Sequence, residues 1–350
     1  MIPVVWSEEE ARHDPRAEIW VGVRTPATEV PARTDAIRAA LADAGHPELP
    51  ARPQPDEALL TVHDVALVEF LRTAWAAWES AGLPEDPGQD RVVPYIFPHP
   101  GLTATPGEPA ATWARTGMYC FDTMTLIGPG TWEAARGAAD AALTAADLVA
   151  AGEAPIAYAC TRPPGHHVTR TAYGGSCYLN NAALACVRLR EALAGPVALL
   201  DVDAHHGNGA QAIFSDRTDV LTGSVHVDPA AGWFPHFLGH ASETCGGTNR
   251  NVPLAPGSGD REWLEAVQAL ARWARGTSPA GLVVALGVDA AGGDPESPLE
   301  VTEDGYRQAG RVLGGLGLPT VIVQEGGYAL ETIGALVRAT LAGFEEARDG

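Results

Sequence analysis

Five short apolar runs in the second half of the chain each end on a cluster of polar, chemically capable residues. The runs are IAYAC (156–160), VALLDV (197–202), VLTGSVH (220–226), GLVVALGV (281–288) and TVIVQ (320–324). Continuous apolar runs of this length describe strands buried on both faces, which occur in parallel sheets. Amphipathic helices lie between them: in REWLEAVQALARWA, residues Trp263, Val267, Leu270, Ala271 and Ala274 share one face. The alternation predicts an α/β fold with a parallel sheet covered by helices on both sides. In such sheets ligands bind beyond the carboxyl ends of the strands. TRPPGHH, DVDAHHGNG, SVHVD, GVDAAGGD and QEGGY follow the strand ends directly.

The first half is less regular. A short apolar run, VVW, is followed by a helix around TDAIRAALADAG, with Thr34 as cap and Gly45 as stop, and by a helix over Leu59–Ala81. From Gly82 to Trp113 the sequence is rich in Pro, Gly and charge, a long excursion of the kind that carries function when it interrupts a compact domain. The helix WEAARGAADAALTAADLVAAG follows, with Thr131 as N-cap and an end near Gly152. We expect one domain over 1–350.

Composition narrows the function. The formal charge is −21 with the acids scattered, so a nucleic-acid partner is excluded for want of a basic face, while an acidic field attracts a cationic substrate or simply aids solubility. No apolar run is long enough to span a bilayer and the N-terminus lacks a secretory pattern, so we expect a cytoplasmic protein without a membrane partner. Five cysteines without C-x-x-C spacing read as small buried residues in a reducing compartment.

Alternation along an extended backbone lets Asp201, Asp203 and His205 project from one side of a strand end. A carboxylate and an imidazole make two ligands of an open zinc site, which takes three; Asp289, after VVALGV, is the best third. His166 and His167 sit on a turn stiffened by Pro163 and Pro164, where two imidazoles suit acid/base work, with Asp201 and Asn208 as partners that would orient them. Tyr328 follows Gly326 and Gly327, where a phenol can donate to a developing oxyanion. Each motif alone has a structural reading: a salt-bridged strand end, a structural histidine pair, a packing tyrosine. The metal reading rests on their occurring together.

RPPGHH, DVDAHHGNG, GVD and EGGY, in this order and at these separations, resemble the histone deacetylase superfamily. VHDVALVEFLRTAW (62–75), GTWEAA (130–135), FPHFLG (234–239) and VQEGGY (323–328) are most similar to its bacterial acetylpolyamine amidohydrolases. The resemblance implies an arginase-like fold with an eight-stranded parallel sheet, and one zinc held by Asp203, His205 and Asp289. It implies His167, paired with Asn208, as general base and then acid, His166, paired with Asp201, as an electrostatic element, and Tyr328 polarising the scissile carbonyl. Structural potassium would lie near Asp201, Asp203, His205, Ser224 and Val225, with a second ion near Phe214, Arg217 and Val220. The substrate tunnel would run between Phe234 and the Gly175–Ser176 wall. Ser176 stands where related enzymes place an aromatic residue, which widens the tunnel and removes roughly 1–3 kcal/mol of apolar contact. Trp113 aligns with an acidic residue of the polyamine enzymes and is expected at the substrate site. The substrate would be a small N-acyl amine such as an acetylpolyamine, the alternatives being acetyl-lysine peptides or a bulky biosynthetic N-acetyl amine. An insertion at about 82–116 would narrow the mouth and pair two subunits. A two-manganese ureohydrolase would need more bridging carboxylates than these motifs offer.

Overall fold

A computed structural model describes residues 1–83 and 90–349. In chain order its strands are β1 (Val4–Trp6), β2 (Ala17–Trp20), β3 (Val23–Pro26), β4 (Glu48–Pro50), β5 (Ile156–Ala159), β6 (Val197–Asp201), β7 (Val220–Val227), β8 (Asn249–Leu254), β9 (Gly281–Leu286) and β10 (Thr320–Gln324). The apolar runs become β5, β6, β7, β9 and β10, each buried throughout. They form the interior of an eight-stranded sheet in the order β4-β1-β5-β10-β9-β6-β7-β8, with every neighbouring pair parallel.

Continuous apolarity is needed because alternate residues face different layers. Ala157, Leu199, Val283 and Val321 pack with the helices Val65–Ser80, Thr131–Ala150 and Asn181–Ala192. Tyr158, Leu200, Val284 and Ile322 pack on the other face with Ala32–Asp43, Asp260–Arg275, Glu303–Gly314 and Ile333–Asp349. Trp263, Val267, Leu270, Ala271 and Ala274 are all buried there. Each fully buried large side chain contributes roughly 1.5–3 kcal/mol by leaving water.

The strands absent from the sequence reading are those at or near the sheet edges. β4 (ELP) and β8 (NRNVPL) are the two outermost strands, polar and carrying Pro50 and Pro253, residues tolerated where a ladder has no further neighbour. Two expected caps are corrected. Thr34 lies inside its helix and donates to the Pro31 carbonyl at 3.0 Å, and Thr131 is the first helical residue, with Gly130 before it at φ 81°. The Thr131 hydroxyl instead accepts from Gly128 N at 2.9 Å. The stretch 59–81 divides into Glu57–Leu60 and Val65–Ser80, the second capped by Asp64 on Ala66 N at 2.9 Å. Of the excursion at 82–116, residues 84–89 lie outside the described residues. The part from 90 to 111 is irregular, and a helix begins at Thr112 (Thr112–Tyr119). No helix of the described residues is long and apolar enough to cross a membrane.

His63 ties the first half to the second. Its Nδ1 donates to the Thr169 carbonyl at 3.0 Å, and its Nε2 accepts from Asn180 N at 2.9 Å. Burial lowers its pKa from 6.5 to about 4. The unfolded chain therefore binds a proton near pH 6.5 that the folded chain refuses until about pH 4. Stability is lost as pH falls through this window, by roughly 3 kcal/mol. In urea titrations between pH 7 and 4.5, His63→Gln should show a shallower decline than the parent; equal slopes would assign the acid sensitivity elsewhere.

Candidate active site

Four adjacent strands, β5, β10, β9 and β6, deliver the polar motifs to one end of the sheet. After β5 the chain turns through Pro163 and Pro164. Arg162, fully buried, anchors this turn by donating to the Glu10 and His13 carbonyls at 2.7 and 2.5 Å and pairing with Glu29 at 2.8 Å. Gly165 N and His166 N then donate to one oxygen of Glu325, beyond β10, at 2.6 and 3.1 Å.

Asp203 and His205 follow β6 and Asp289 follows β9, and one ligand atom from each lies within 4.8 Å of the others. His205 Nδ1 stands 3.0 Å from Asp289 Oδ2 and 3.2 Å from Asp203 Oδ1. Ala204 N donates to Asp289 at 2.8 Å and Gly326 N to Asp203 at 2.8 Å. At Gly326 a Cβ would come within 2.5 Å of an oxygen of both carboxylates, so glycine is required for this approach. Burial and the neighbouring Asp203 push the Asp289 carboxyl up to about 7. On His205, burial is outweighed by the two carboxylates, which raise the imidazole well above 6.5. Two buried acids around one imidazole, with His205 facing a cavity, carry the excess negative charge that a dication relieves. The donor set of two oxygens and one nitrogen fits an open site for a divalent metal such as zinc. His166, Cys177 and Glu325 also converge, but none of the three lines the cavity, and Glu325 is engaged by the Gly165 and His166 amides.

The two neighbouring histidines acquire opposite characters. On His166 burial opposes protonation, but Asp201, 2.8 Å from Nδ1, and Asp203 outweigh it and lift the imidazole to about 10. On His167 burial and the charges of His166 and His205 act together and hold the imidazole well below 6.5. His167 Nδ1 donates to Asn208 Oδ1 at 2.6 Å, leaving Nε2 as an acceptor.

Tyr328 lines the same cavity, its amide held by Asp294 at 2.7 Å and its ring 4.7 Å from the Arg33 guanidinium. Arg33 is buried, pairs with Glu29 at 2.9 Å and donates to the Gly327 and Glu325 carbonyls at 2.5 and 2.6 Å. Burial outweighs the guanidinium and keeps the phenol well above its usual 10, hence a neutral donor. The cavity, about 440 Å³, is walled on one side by Phe234, 4.9 Å from the His167 ring, and on another by Gly175 and Ser176. Gly175 and Ser176 both take left-handed backbone, φ 61° and 60°, their amides held by Asp122 and Thr125 at 2.6 and 2.8 Å.

Trp113 is the exception among the expected residues. It lines a separate surface depression with Trp78, Val93 and Tyr95, because the helix beginning at Thr112 packs toward Val65–Ser80 instead of the cavity. Asp201 and Ser224 are register partners on β6 and β7, beside Val225. Phe214, Arg217 and Val220 lie on one turn, closed by Arg217 N donating to the Phe214 carbonyl at 3.0 Å. The sequence reading assigned no role to Arg33, Glu29 or Asp122, nor to Arg162 and Asp294, which lie in its RPPGHH and GVDAAGGD motifs. For Glu29 and Arg33 the visible signal was their i, i+4 spacing.

An α/β sheet with this cavity at its carboxyl end matches the model of the histone deacetylase domain over residues 27–344. The chain belongs to the histone deacetylase family, as a hydrolase of amide C–N bonds. It is 39% identical to acetylpolyamine amidohydrolase of Mycoplana ramosa over 346 residues, 97% of this chain and 98% of that protein. It is equally identical to acetylpolyamine amidohydrolase 1 of Pseudomonas aeruginosa over 348 residues, 98% of this chain and 99% of that one. The crystal structure of acetylpolyamine aminohydrolase from Burkholderia pseudomallei superposes with a TM-score of 0.93 at 37% identity, covering 99% of both chains.

Proposed function

We propose that this chain, acting as one catalytic domain, is a zinc-dependent amidohydrolase that removes an acetyl or other short acyl group from a small N-acyl amine such as an acetylpolyamine. The carrying observation is that a neutral His167, the phenol of Tyr328 and His205 line one cavity, with Asp203 and Asp289 gathered on His205 and a cationic His166 against the His167 ring. The near full-length likeness to acetylpolyamine amidohydrolases supports the substrate class.

Asp203, His205 and Asp289 would hold a zinc ion, which would supply a Lewis acid and lower the pKa of water. His167 Nε2, neutral and facing the cavity, accepts a proton from the attacking water, while Asn208 fixes its tautomer. Tyr328 donates to the oxyanion that develops as the carbonyl carbon becomes tetrahedral. His167 returns the proton to the departing nitrogen as the C–N bond breaks, and the products are a carboxylic acid and an amine. His166, already cationic beside Asp201, takes no part in the transfer and steadies the negative charge of the reacting centre.

Ser176 favours a second reading within the same chemistry. The absence of an aromatic ring on that wall supports a bulkier substrate, an N-acetyl amine or an acetyl-lysine peptide. The structural potassium near Asp201 and Ser224, the ion near Phe214, Arg217 and Val220, the homodimer, and a reducing cytoplasmic setting for the free cysteines belong to the same proposal. The test is product release, read by mass spectrometry, from zinc-loaded protein given N-acetylputrescine, N-acetylspermidine, an acetyl-lysine peptide and a pool of bulky N-acetyl amines. Turnover of the small polyamines is the expected result. Turnover of bulky substrates alone would move the enzyme to the second reading, and turnover of none would reject both.

A further inference from the structure

In the proposed reaction Tyr328 donates to an oxyanion that develops at one defined place, yet its backbone has no regular structure to hold it there. It follows Gly326 and Gly327 in a segment, 325–329, that is neither strand nor helix, and Gly327 takes left-handed backbone at φ 118°. A glycine has no Cβ to resist rotation of the next peptide plane. Fixing the phenol therefore falls to groups outside the segment.

The Gly327–Tyr328 peptide is gripped at both ends. Its carbonyl accepts from Arg33 Nε at 2.5 Å, and its N–H donates to Asp294 Oδ2 at 2.7 Å. The same carboxylate oxygen accepts from Ala329 N at 3.2 Å, so Asp294 holds the two amides that flank the Tyr328 α-carbon. Its other oxygen, Oδ1, accepts from Glu296 N at 3.0 Å, and its own amide donates to the Ala291 carbonyl at 3.1 Å. The carboxylate thus belongs to the loop that begins at Asp289 and reaches across to the loop of Tyr328. Asp294 is buried, and it lies outside both the cavity lining and the Asp203–His205–Asp289 cluster. Burial pushes its carboxyl up, while the Tyr328, Glu296 and Ala329 amides and the Arg33 charge oppose the rise. Amide bonds to a carboxylate are of the strong, charge-assisted kind.

We propose that Asp294 is a positioning residue for the reaction: by fixing the backbone on either side of the Tyr328 α-carbon and tying it to the Asp289 loop, it sets where the phenol stands relative to the Asp203–His205–Asp289 cluster. This rests on the amide-hydrolase reading and adds to it a residue that acts only through Tyr328. A displacement of about 1 Å at a reacting group can cost on the order of 10²-fold in rate. The effect therefore belongs to kcat.

The experiment is a double-mutant cycle in zinc-loaded protein: parent, Asp294→Asn, Tyr328→Phe and the double variant, with N-acetylputrescine or whichever amine of the panel above the parent hydrolyses. Asparagine keeps the shape, but its amide nitrogen replaces an acceptor that faces either the Tyr328 and Ala329 amides or the Glu296 amide. We expect Asp294→Asn to lower kcat by about 10–100-fold, with KM within about twofold of the parent and zinc content unchanged. Once the hydroxyl is gone, we expect the same substitution to lower kcat by less than about twofold. A residue that merely supports the fold lowers kcat by an equal factor in both backgrounds. That result, or a parental kcat in Asp294→Asn, overturns the proposal. Asp294→Glu, which keeps the charge and shifts the oxygens, goes through the same cycle if the asparagine variant fails to fold. Hydrogen exchange at the Tyr328 and Ala329 amides is measured in the same proteins without substrate. It should quicken by about tenfold or more in Asp294→Asn and stay parental in Tyr328→Phe; unchanged exchange in Asp294→Asn also overturns the proposal. If the parent hydrolyses no amine, the amidohydrolase reading fails by itself, and the exchange still decides whether Asp294 anchors the Tyr328 loop.

Discussion

Asp289→Asn is expected to lose zinc and turnover together. The substitution keeps the size of the side chain and removes one of the two anions around His205, so the excess charge that favours a dication falls. Affinity should drop by more than the roughly 10–100-fold typical when only an outer hydrogen-bond partner is lost. Equilibrium dialysis with metal analysis gives the stoichiometry, and we expect one zinc per parent chain. Two manganese ions would point to ureohydrolase chemistry instead. The parent should also resist unfolding better with metal than without, by about 4 kcal/mol at a free zinc concentration a thousandfold above Kd. Loading should weaken as pH falls through about 7, because the Asp289 carboxyl then holds a proton in competition with the metal, and His205 must also give one up. An Asp289→Asn protein that bound one zinc with parental affinity would remove Asp289 from the ligand set.

Tyr328→Phe should lower kcat by about 10²–10³, the usual effect of removing one oxyanion donor, with little change in KM. The ring contact with Arg33 and the amide bond to Asp294 survive the change, so melting temperature and zinc content should match the parent. This separates the hydroxyl from the loop that carries it. The burial that keeps the phenol neutral also makes it a donor across the working pH range, so the loss should be nearly constant from pH 6 to 9. A loss under fivefold would mean that another group polarises the carbonyl.

The legible parts of the molecule were those where one residue type has one physical use. Strands buried on both faces must be apolar throughout, so β5, β6, β7, β9 and β10 stood out, whereas β4 and β8, relieved of that demand at the sheet edges, carry no such run. Asp203 and His205 were visible as part of a D-x-D-x-H run at the end of an apolar strand, although β6 stops at Asp201 and the chain bends through 203–205. Arg33 was not: an arginine on an amphipathic helix reads as a solvated side chain, and only tertiary packing shows it buried against Glu29 with its donors on the Tyr328 loop. Glu18 was hidden for a related reason, since it reaches the cavity from a hairpin, β2–β3, that propensity did not indicate. Trp113 lies in a depression apart from the cavity, and the irregular, proline-rich stretch before it carries no periodicity from which its place could be read.

The place of β10 in the sheet fixes when the site can exist during synthesis. β10 lies between β5 and β9 and is the last strand of the chain. Until it has been made, β5 and β9 each present an open inner edge, the Gly165–His166 amides lack Glu325, and Asp203 lacks the Gly326 amide. A growing chain that already contains all three proposed metal ligands is therefore still without their supporting shell, and the proposed site is complete only when β10 inserts into the middle of the sheet.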